Sequence, residues 1–230
     1  MMPARTVSFA LAVLALALFY RSASSQSLYS QATDFNGFLA SQNDTSGRFG
    51  SFATAYDNFT LGADAKIARV DWTGSFFNPQ SESPISLFTI SVLNDSGGSP
   101  GGVILSQTVS GINAHESFLQ LDSALNPAYA YSATLGTPFS ASGGTTYWLS
   151  IVPDLAIGPS PATGPQWAWE TSFQGDGTCY QDFLSVRSQQ PADLAFGLFG
   201  SGISSVPTPS AWAVTVIGMA VVLGWRKRHS

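Results

Sequence analysis

Apolar and polar residues alternate in short stretches through the middle of the chain, and this pattern predicts β-strands. Within residues 85–93 (ISLFTISVL), every second residue from Phe88 onward is apolar, so these side chains share one face of an extended chain. Residues 145–152 (TTYWLSIV) follow the same rule. Tyr147 and the alternate residues after it are expected to face inward, and Trp148 to face the opposite way.

Turn residues separate the apolar stretches and set the spacing of the predicted strands. In residues 66–73, alternation places Ala68, Val70 and Trp72 on one face. Residues 34–40 are an exception, where a turn or two of helix is predicted. The predicted strands span residues 52–61, 66–73, 85–93, 103–109, 118–121, 128–134, 145–152, 167–171, 178–184 and 193–199.

This series of short strands predicts the fold class of residues 26–200. Antiparallel strands of this length, with no internal repeat, indicate an all-β, two-sheet antiparallel sandwich. A jelly-roll-like arrangement is the leading expectation within that class. The segment has the length of one domain and can bury a sizeable core.

The first apolar segment has the pattern of a secretory signal peptide. Arg5 precedes the 14 largely apolar residues 7–20 (VSFALAVLALALFY), and small residues follow in 21–25 (RSASS). A run of this length after a positive charge is too short for a stable membrane span. Residues 1–25 are therefore predicted to be a signal peptide, with cleavage near Ser24 or Ser25.

The second apolar segment, residues 211–225 (AWAVTVIGMAVVLGW), carries no charge and predicts a short transmembrane helix. At the helical rise it measures roughly 22 Å, against a hydrocarbon core of roughly 30 Å. A buried core helix is the alternative, but the basic cluster after the segment favours the membrane. Residues 226–230 are the predicted cytoplasmic tail, and that cluster, the predicted membrane stop, is Arg226, Lys227 and Arg228.

Residues 201–210 form a predicted flexible linker that ends in a proline-containing motif. Two prolines keep a helix from extending backwards into it, which leaves the motif extended and accessible. The motif consists of Val206, Pro207, Thr208, Pro209 and Ser210.

This motif, followed by the short apolar helix and the terminal basic cluster, resembles the PEP-CTERM sorting signal of exported bacterial proteins. The chain has Thr208 where the usual motif has glutamate. The resemblance implies an exosortase, a membrane-embedded cysteine transpeptidase, as partner. It also implies processing near the two prolines, and then release or transfer to the cell exterior.

Several strand motifs also resemble a recurring, largely uncharacterised ectodomain of PEP-CTERM proteins. The motifs lie in residues 56–61 (YDNFTL), 70–72 (VDW), 88–90 (FTI), 98–101 (GSPG) and 147–151 (YWLSI). This second resemblance implies a β-sandwich and supplies no catalytic residues.

The charge of the chain excludes one class of partner. The net charge is −5, but all 14 acidic residues lie between residues 26 and 205, where only four residues are basic, giving 4 − 14 = −10. Nucleic-acid binding needs a basic surface, so no nucleic-acid partner is expected. The four basic residues are Arg48, Lys66, Arg69 and Arg187.

The residues that most often carry catalysis are sparse. Cys179 is the single cysteine, so no intramolecular disulfide can form, and a buried, inert thiol is expected. His115 is the one histidine of the predicted ectodomain, too few for a multi-histidine metal site. No nucleophile elbow, zinc helix or phosphate loop occurs. We therefore predict no catalytic residues, cofactor or metal ligands.

Three tryptophans offer an alternative function. If Trp148, Trp167 and Trp169 were exposed, they could stack on sugar rings next to Glu170 and form a carbohydrate-binding platform; otherwise they pack in the core. The acidic loops 94–96 and 175–177 offer oxygen ligands of the kind that Ca²⁺ uses, although turn chemistry alone explains their composition.

Taken together, the sequence predicts an exported protein of structural or interaction type. It is expected to be held transiently in the inner membrane and then delivered to the cell surface or extracellular matrix, with exopolysaccharide as a further candidate partner. A carbohydrate-binding module is the first alternative. A polysaccharide hydrolase is the weaker one, since two of the many carboxylates would suffice for it.

Overall fold

The stretches of alternating apolar and polar residues form paired strands in the computed structural model. The structure describes residues 25–78, 83–157 and 164–200. These residues are all-β, with two antiparallel sheets, as predicted. Within them, no helix has the length and apolar character needed to span a bilayer. The predicted signal peptide, the motif at 206–210, the apolar segment 211–225 and the basic cluster at 226–228 lie outside the described residues.

The described residues contain fifteen strands and one 3₁₀ turn, η1, at Gly111–Ala114. The strands are β1 (Gln26–Gln31), β2 (Thr33–Ala40), β3 (Asn43–Asp44), β4 (Ala53–Thr60), β5 (Ala65–Phe77), β6 (Leu87–Asp95), β7 (Pro100–Ser110), β8 (Ser117–Leu121), β9 (Pro127–Ala141), β10 (Thr146–Leu155), β11 (Gln166–Ser172), β12 (Cys179–Phe183), β13 (Val186–Gln190), β14 (Asp193–Leu194) and β15 (Phe196–Gly200).

Two sheets divide these strands. Sheet A has eight strands: β1, β15, β5, β11 and β14 follow one path, while β2 pairs with β11, β9 pairs with β5, and β8 pairs with β9. Sheet B has the order β13-β12-β4-β10-β6-β7, and the short β3 adds to β10 in parallel. All other pairs are antiparallel.

Sheet A is curled, and its long strand β5 pairs with three others. The turn between β8 and β9 reaches across to β2 at the far side of the sheet. There the Ser123 amide donates to the Phe35 carbonyl oxygen (2.8 Å), and the Ser123 hydroxyl donates to the Asn36 carbonyl oxygen (3.0 Å). The outer face of sheet A is therefore partly enclosed by its own edges.

The core lies between the two sheets and is rich in aromatic rings. Trp72 stacks on Tyr131 with the ring planes 10° apart, and Phe88 meets both rings edge-on. Offset and edge-on contacts of this kind add stability beyond the burial of apolar area. Strand β10 contributes Tyr147 and the alternate residues after it to this core, which confirms the inward face predicted for residues 145–152.

Two local predictions were wrong. Residues 34–40 form strand β2 rather than a helical turn, because pairing with β11 overrides the local spacing of apolar residues. Phe35 takes a left-handed conformation (φ 54°) at this point. In β5, the register shifts between Ile67 and Arg69, so Ile67 replaces Ala68 on the buried face shared with Val70. An extra residue at such a bulge reverses the face of what precedes it.

Candidate functional site

Two of the three candidate tryptophans lie inside the sandwich. Trp167 and Trp169 on β11 are both 0% exposed and belong to the main core. The indole nitrogen of Trp167 donates to the Tyr131 hydroxyl (3.3 Å), and that of Trp169 donates to the Ala195 carbonyl oxygen (2.8 Å). Both polar atoms are satisfied within the protein, so these rings serve the packing of the core.

Trp148 does face away from the core, as predicted, but it is covered. Its ring is 1% exposed and packs with Tyr56, Leu93 and Tyr180 on the outer face of sheet B. Its indole nitrogen donates to Asp95 Oδ1 (2.9 Å). Alternation correctly gave the face of Trp148, and neighbours from the same sheet decided that this face is closed.

An arginine helps to close this cluster. The Arg187 guanidinium lies 5.1 Å from the centre of the Tyr56 ring and forms two hydrogen bonds with Asp182 (2.7 and 2.8 Å). It also donates to the Pro100 carbonyl oxygen (2.8 Å), which ties β13 to the start of β7. The rings of Trp148, Trp167 and Trp169 are all buried, which agrees with the reading that they pack within the protein. The alternative, a carbohydrate platform, would need an open aromatic face that none of the three offers.

The two acidic loops have structural roles. In 94–96, Asp95 accepts from Trp148 and also from the Gly98 amide (3.0 Å). In 175–177, the Asp176 carboxylate accepts from the Asn58 side chain (2.9 Å). Among the residues that the structure describes, no group of three His, Cys, Asp or Glu side chains converges in a geometry that could hold a metal ion.

Cys179 lies at a buried polar cluster between the sheets, and it is the free, buried thiol that the sequence predicts. Burial raises the pKa of this thiol, and the nearby Asp57 carboxyl raises it further. Asp57 is itself 0% exposed. Burial raises the pKa of Asp57 well above its usual value, although a hydrogen bond from the Leu194 amide opposes this.

Every oxygen of Asp57 has a hydrogen-bond donor. Oδ1 accepts from the Asn58 amide (2.8 Å), and Oδ2 accepts from the Leu194 amide (2.6 Å). In the orientation that satisfies all its atoms, the Gln31 amide nitrogen donates to Oδ2 as well (2.8 Å) and its oxygen accepts from the Tyr29 hydroxyl (2.8 Å). The cluster is a closed structural network.

Glu170 is a second buried acid, and it has no such network. It lies on β11 beyond Trp169 and points to the outer face of sheet A, yet it is 0% exposed. Its carboxyl oxygens have no hydrogen-bond partner in good geometry, although the Ser75 hydroxyl and the Asp122 carboxyl lie near enough to interact with them. Burial raises the pKa of Glu170 to about 7; Ser75 lowers it, and the carboxyl groups of Asp122 and Asp34 raise it.

A cleft of about 320 Å³ opens on sheet A between β1, β5, β9 and β15. Asp71 is the one acidic residue that lines this cleft, and it is already paired with Arg69 (3.0 Å) and with the Ser132 hydroxyl (2.7 Å). Arg69 in turn lies 4.0 Å above the Phe199 ring. The cleft can receive a small polar solute, but its lining does not supply the two facing carboxyls that glycoside hydrolysis requires.

Sequence reasoning missed the buried acids Asp57 and Glu170. One signal was present for Glu170: it continues the run Trp-Ala-Trp on a strand that is buried on both faces. A charged residue in such a strand is rarely a solvated one. Asp57 gave no comparable signal, because its partners come from β1 and β14, far away in the sequence.

No known family model and no curated protein matches this chain. Among solved structures, it is similar to a CocE/NonD family hydrolase from Staphylococcus aureus, with 10% sequence identity and a TM-score of 0.25. The similarity covers 77% of this chain and 41% of the hydrolase chain. At this TM-score, the likeness carries no conclusion about the fold or the activity of the present protein.

Proposed function

We propose that this chain is an exported, C-terminally sorted protein of the cell surface or extracellular matrix, of structural or interaction type. The observation that carries the proposal is the order of its segments: signal peptide, one β-sandwich, a Pro-x-Pro motif, a short apolar segment and a basic end. The described residues up to Gly200 fall in one compact unit, which supports a single delivered ectodomain.

The sorting route follows from the physical character of the tail. A signal peptide directs the chain across the inner membrane and is then removed. The apolar segment 211–225 holds the chain there, and Arg226, Lys227 and Arg228 stay on the cytoplasmic side. An exosortase-type enzyme then processes the extended motif at 206–210, so the membrane hold is transient.

Exposed apolar side chains on the sandwich support an interaction role. Strand β8 is exposed along its whole length, with Phe118 56% and Leu121 50% exposed. The hairpin between β12 and β13 exposes Leu184 (52%) and Val186 (68%). Apolar residues clustered at a sheet edge and a hairpin tip are typical of surfaces that contact other proteins.

We assign the sandwich to the jelly-roll-like class. Support comes from nested pairing: β4 pairs with β12, β5 with β11, and β6 with β10, as in one long folded hairpin. At its inner end, Gln107 on β7 exchanges two hydrogen bonds with the backbone of Thr137 on β9. Nested antiparallel pairs of this kind characterise double-sheet jelly rolls.

The proposal is tested by following whether residues 206–230 are removed when a bacterium exports the chain. The full-length protein should yield a mature form whose C-terminal residue, determined by mass spectrometry, lies near the motif at 206–210. A version truncated before Val206 should be secreted and absent from the membrane fraction. A mature protein that still ends at Ser230 would contradict processing, and a truncated chain that remains in the membrane would contradict the anchor.

A matched variant isolates the motif from the anchor. Replacing Pro207 and Pro209 by alanine keeps the apolar segment and the basic cluster, so this variant should stay in the membrane unprocessed. If it is processed as efficiently as the unaltered chain, the motif is not the recognition element.

A further inference from the structure

The cleft of about 320 Å³ on sheet A lies where three neighbouring strands carry short side chains on their outer face. Trp72, Tyr131 and Phe196 are paired in one row across β5, β9 and β15, and all three belong to the core. Alternation therefore directs the residues next to this row outward, away from the core. The short outward-facing residues that line the cleft are Thr73, Ala130, Ser132 and Gly197. Because these side chains are small, the outer face has a depression that a ligand can enter.

Asp71 is held in a fixed orientation in this cleft. It is paired in register with Ser132 on one side and Gly197 on the other. Its Oδ1 accepts from the Ser132 hydroxyl (2.7 Å) and lies 3.0 Å from Arg69 Nε, while its Oδ2 accepts from Arg69 Nη2 (3.1 Å). A carboxylate has about four lone-pair sites, so Oδ2 can accept a further hydrogen bond. The Asp71 side chain is 33% exposed, which leaves it within reach of a ligand.

Further hydrogen-bonding side chains line the cleft. Ser30 and Thr33 come from the corner between β1 and β2, and His115 follows η1. Hydroxyl groups and a neutral imidazole can each donate one hydrogen bond and accept another. His115 is exposed and takes a left-handed backbone conformation (φ 48°), in which its amide donates to the Ile112 carbonyl oxygen (3.4 Å). This conformation is uncommon for residues other than glycine and is found more often at functional positions.

The chemistry of the lining favours a neutral ligand. Among the described residues that line the cleft, none is a lysine or arginine, and Asp71 is the single acid, already paired with Arg69. An anion would therefore meet no free positive charge, and a cation would meet a carboxylate that is already neutralised. A purely apolar ligand would leave the polar side chains without partners, which is costly. A ligand with several hydroxyl groups can instead donate to Asp71 and exchange hydrogen bonds with the other side chains.

We propose that this cleft binds one neutral sugar residue, with Asp71 accepting hydrogen bonds from its hydroxyl groups and Ser132 and His115 contributing further polar contacts. Ligand sites usually measure about 300–1,000 Å³, so a cleft at the lower end of this range suits a single ring. None of the buried tryptophans takes part. The proposal deepens the interaction role given above, and it rests on that role only for where the protein meets the sugar.

The experiment is isothermal titration calorimetry of the full-length protein with glucose, galactose, mannose and N-acetylglucosamine. At least one of these sugars should bind with a Kd on the order of 10⁻³ M, because a single small ring makes few contacts. Glucuronate and galacturonate carry a carboxylate on the same ring and should bind more weakly than their neutral parents, because Asp71 repels them. The methyl glycoside of the sugar that binds should bind as well if the residue is met in a polymer; binding of the free sugar alone would identify a free monosaccharide as the ligand.

Two kinds of variant test the site itself. Asp71→Asn keeps the size of the side chain but removes the charge that strengthens its hydrogen bonds, so the affinity should fall about tenfold. Ser132→Ala, which leaves the pair of Asp71 and Arg69 in place, should weaken binding about threefold or more. Ala130→Leu removes no polar group but fills the cleft, so it should abolish binding. Thermal unfolding of each variant shows that it is folded.

Ala63→Leu is the matched control, since Ala63 is exposed and lies outside the cleft. It should leave sugar binding unchanged. The proposal is overturned if none of the four sugars binds at concentrations up to about 20 mM, which is well above the expected Kd. It is equally overturned if Ala130→Leu binds as well as the unaltered protein, because the ligand would then lie elsewhere. Both results would leave the sorting proposal intact, and a failure of processing at residues 206–210 would not alter sugar binding.

Discussion

Replacing Gly74 by alanine tests why Trp167 lies inside the sandwich. A Cβ atom on Gly74 would lie 2.0 Å from Cζ2 and 2.4 Å from Cε2 of the Trp167 indole. Carbon atoms in contact are normally about 3.5–4.0 Å apart, so the indole would have to move by more than about 1 Å. Phe88 and Tyr131 pack against the ring with centroid distances of 5.8 and 6.0 Å.

The size of the effect follows from this overlap. Overpacking a filled core costs typically about 1–3 kcal/mol, and the rigid indole places Gly74→Ala at about 3 kcal/mol. For a domain of this size, that lowers the Tm by about 6–12 °C. Urea unfolding at constant temperature gives the free energy directly, and thermal unfolding gives the Tm.

Two further variants make the result interpretable. Gly62→Ala should change the free energy of unfolding by less than about 0.5 kcal/mol, because a Cβ there meets no atom within 4 Å. Combining Gly74→Ala with Trp167→Phe should cost less than the sum of the single changes, since the smaller ring relieves the overlap. If Gly74→Ala is as stable as Gly62→Ala, the packing described for Trp167 is wrong.

Three other predictions concern buried ionisable groups. Burial alone would raise the pKa of Asp44, but hydrogen bonds from the Ser46 side chain and three backbone amides lower it to about 2. The stability that Asp44 contributes is therefore present above about pH 4 and is lost as the pH falls towards 2. This loss of about 2 kcal/mol should be absent in Asp44→Asn. Unfolding curves of both proteins between neutral and acidic pH will measure it. The pKa of Asp57 is shifted the other way, because it is raised in the folded protein. Its contribution to the stability of the fold is therefore present at low pH and declines as the pH rises towards the raised pKa. A carbon-detected NMR titration should place its midpoint above about 3.9, and a lower midpoint would contradict its burial. Cys179 should not react with a thiol reagent in the native protein at neutral pH and should react fully in denaturant; rapid native labelling would show an accessible thiol.

The strands and their inner faces could be predicted from the sequence, because alternation with a period of two is a local property. It correctly placed Tyr147 inside and Trp148 on the other face. The same rule failed at Ala68, because a bulge reversed the face there. The helical turn predicted for residues 34–40 was also wrong, because pairing with β11 outweighed the local pattern. Both failures depend on how a distant strand pairs.

The candidate site was less predictable than the fold. Alternation tells which side of a sheet a residue occupies, but not what lies above that side. Trp148 is covered by residues from three other strands, and its hydrogen-bond partner, Asp95, lies 53 positions away. Glu170 is buried, and the side chains that influence its pKa, among them Ser75 and Asp122, lie far from it in the sequence.

The sequence by itself determined the all-β class and the inner faces of the main strands, because each rests on neighbouring residues. The targeting segments at the two ends stay predictions, since they lie outside the described residues. Only the tertiary structure decided which outward-facing side chains meet solvent. It buried Trp148 without placing it in the core, and it brought Asp122 and Ser75 near Glu170. Burial of this kind arises from contacts between residues far apart in the chain, and no local pattern records them.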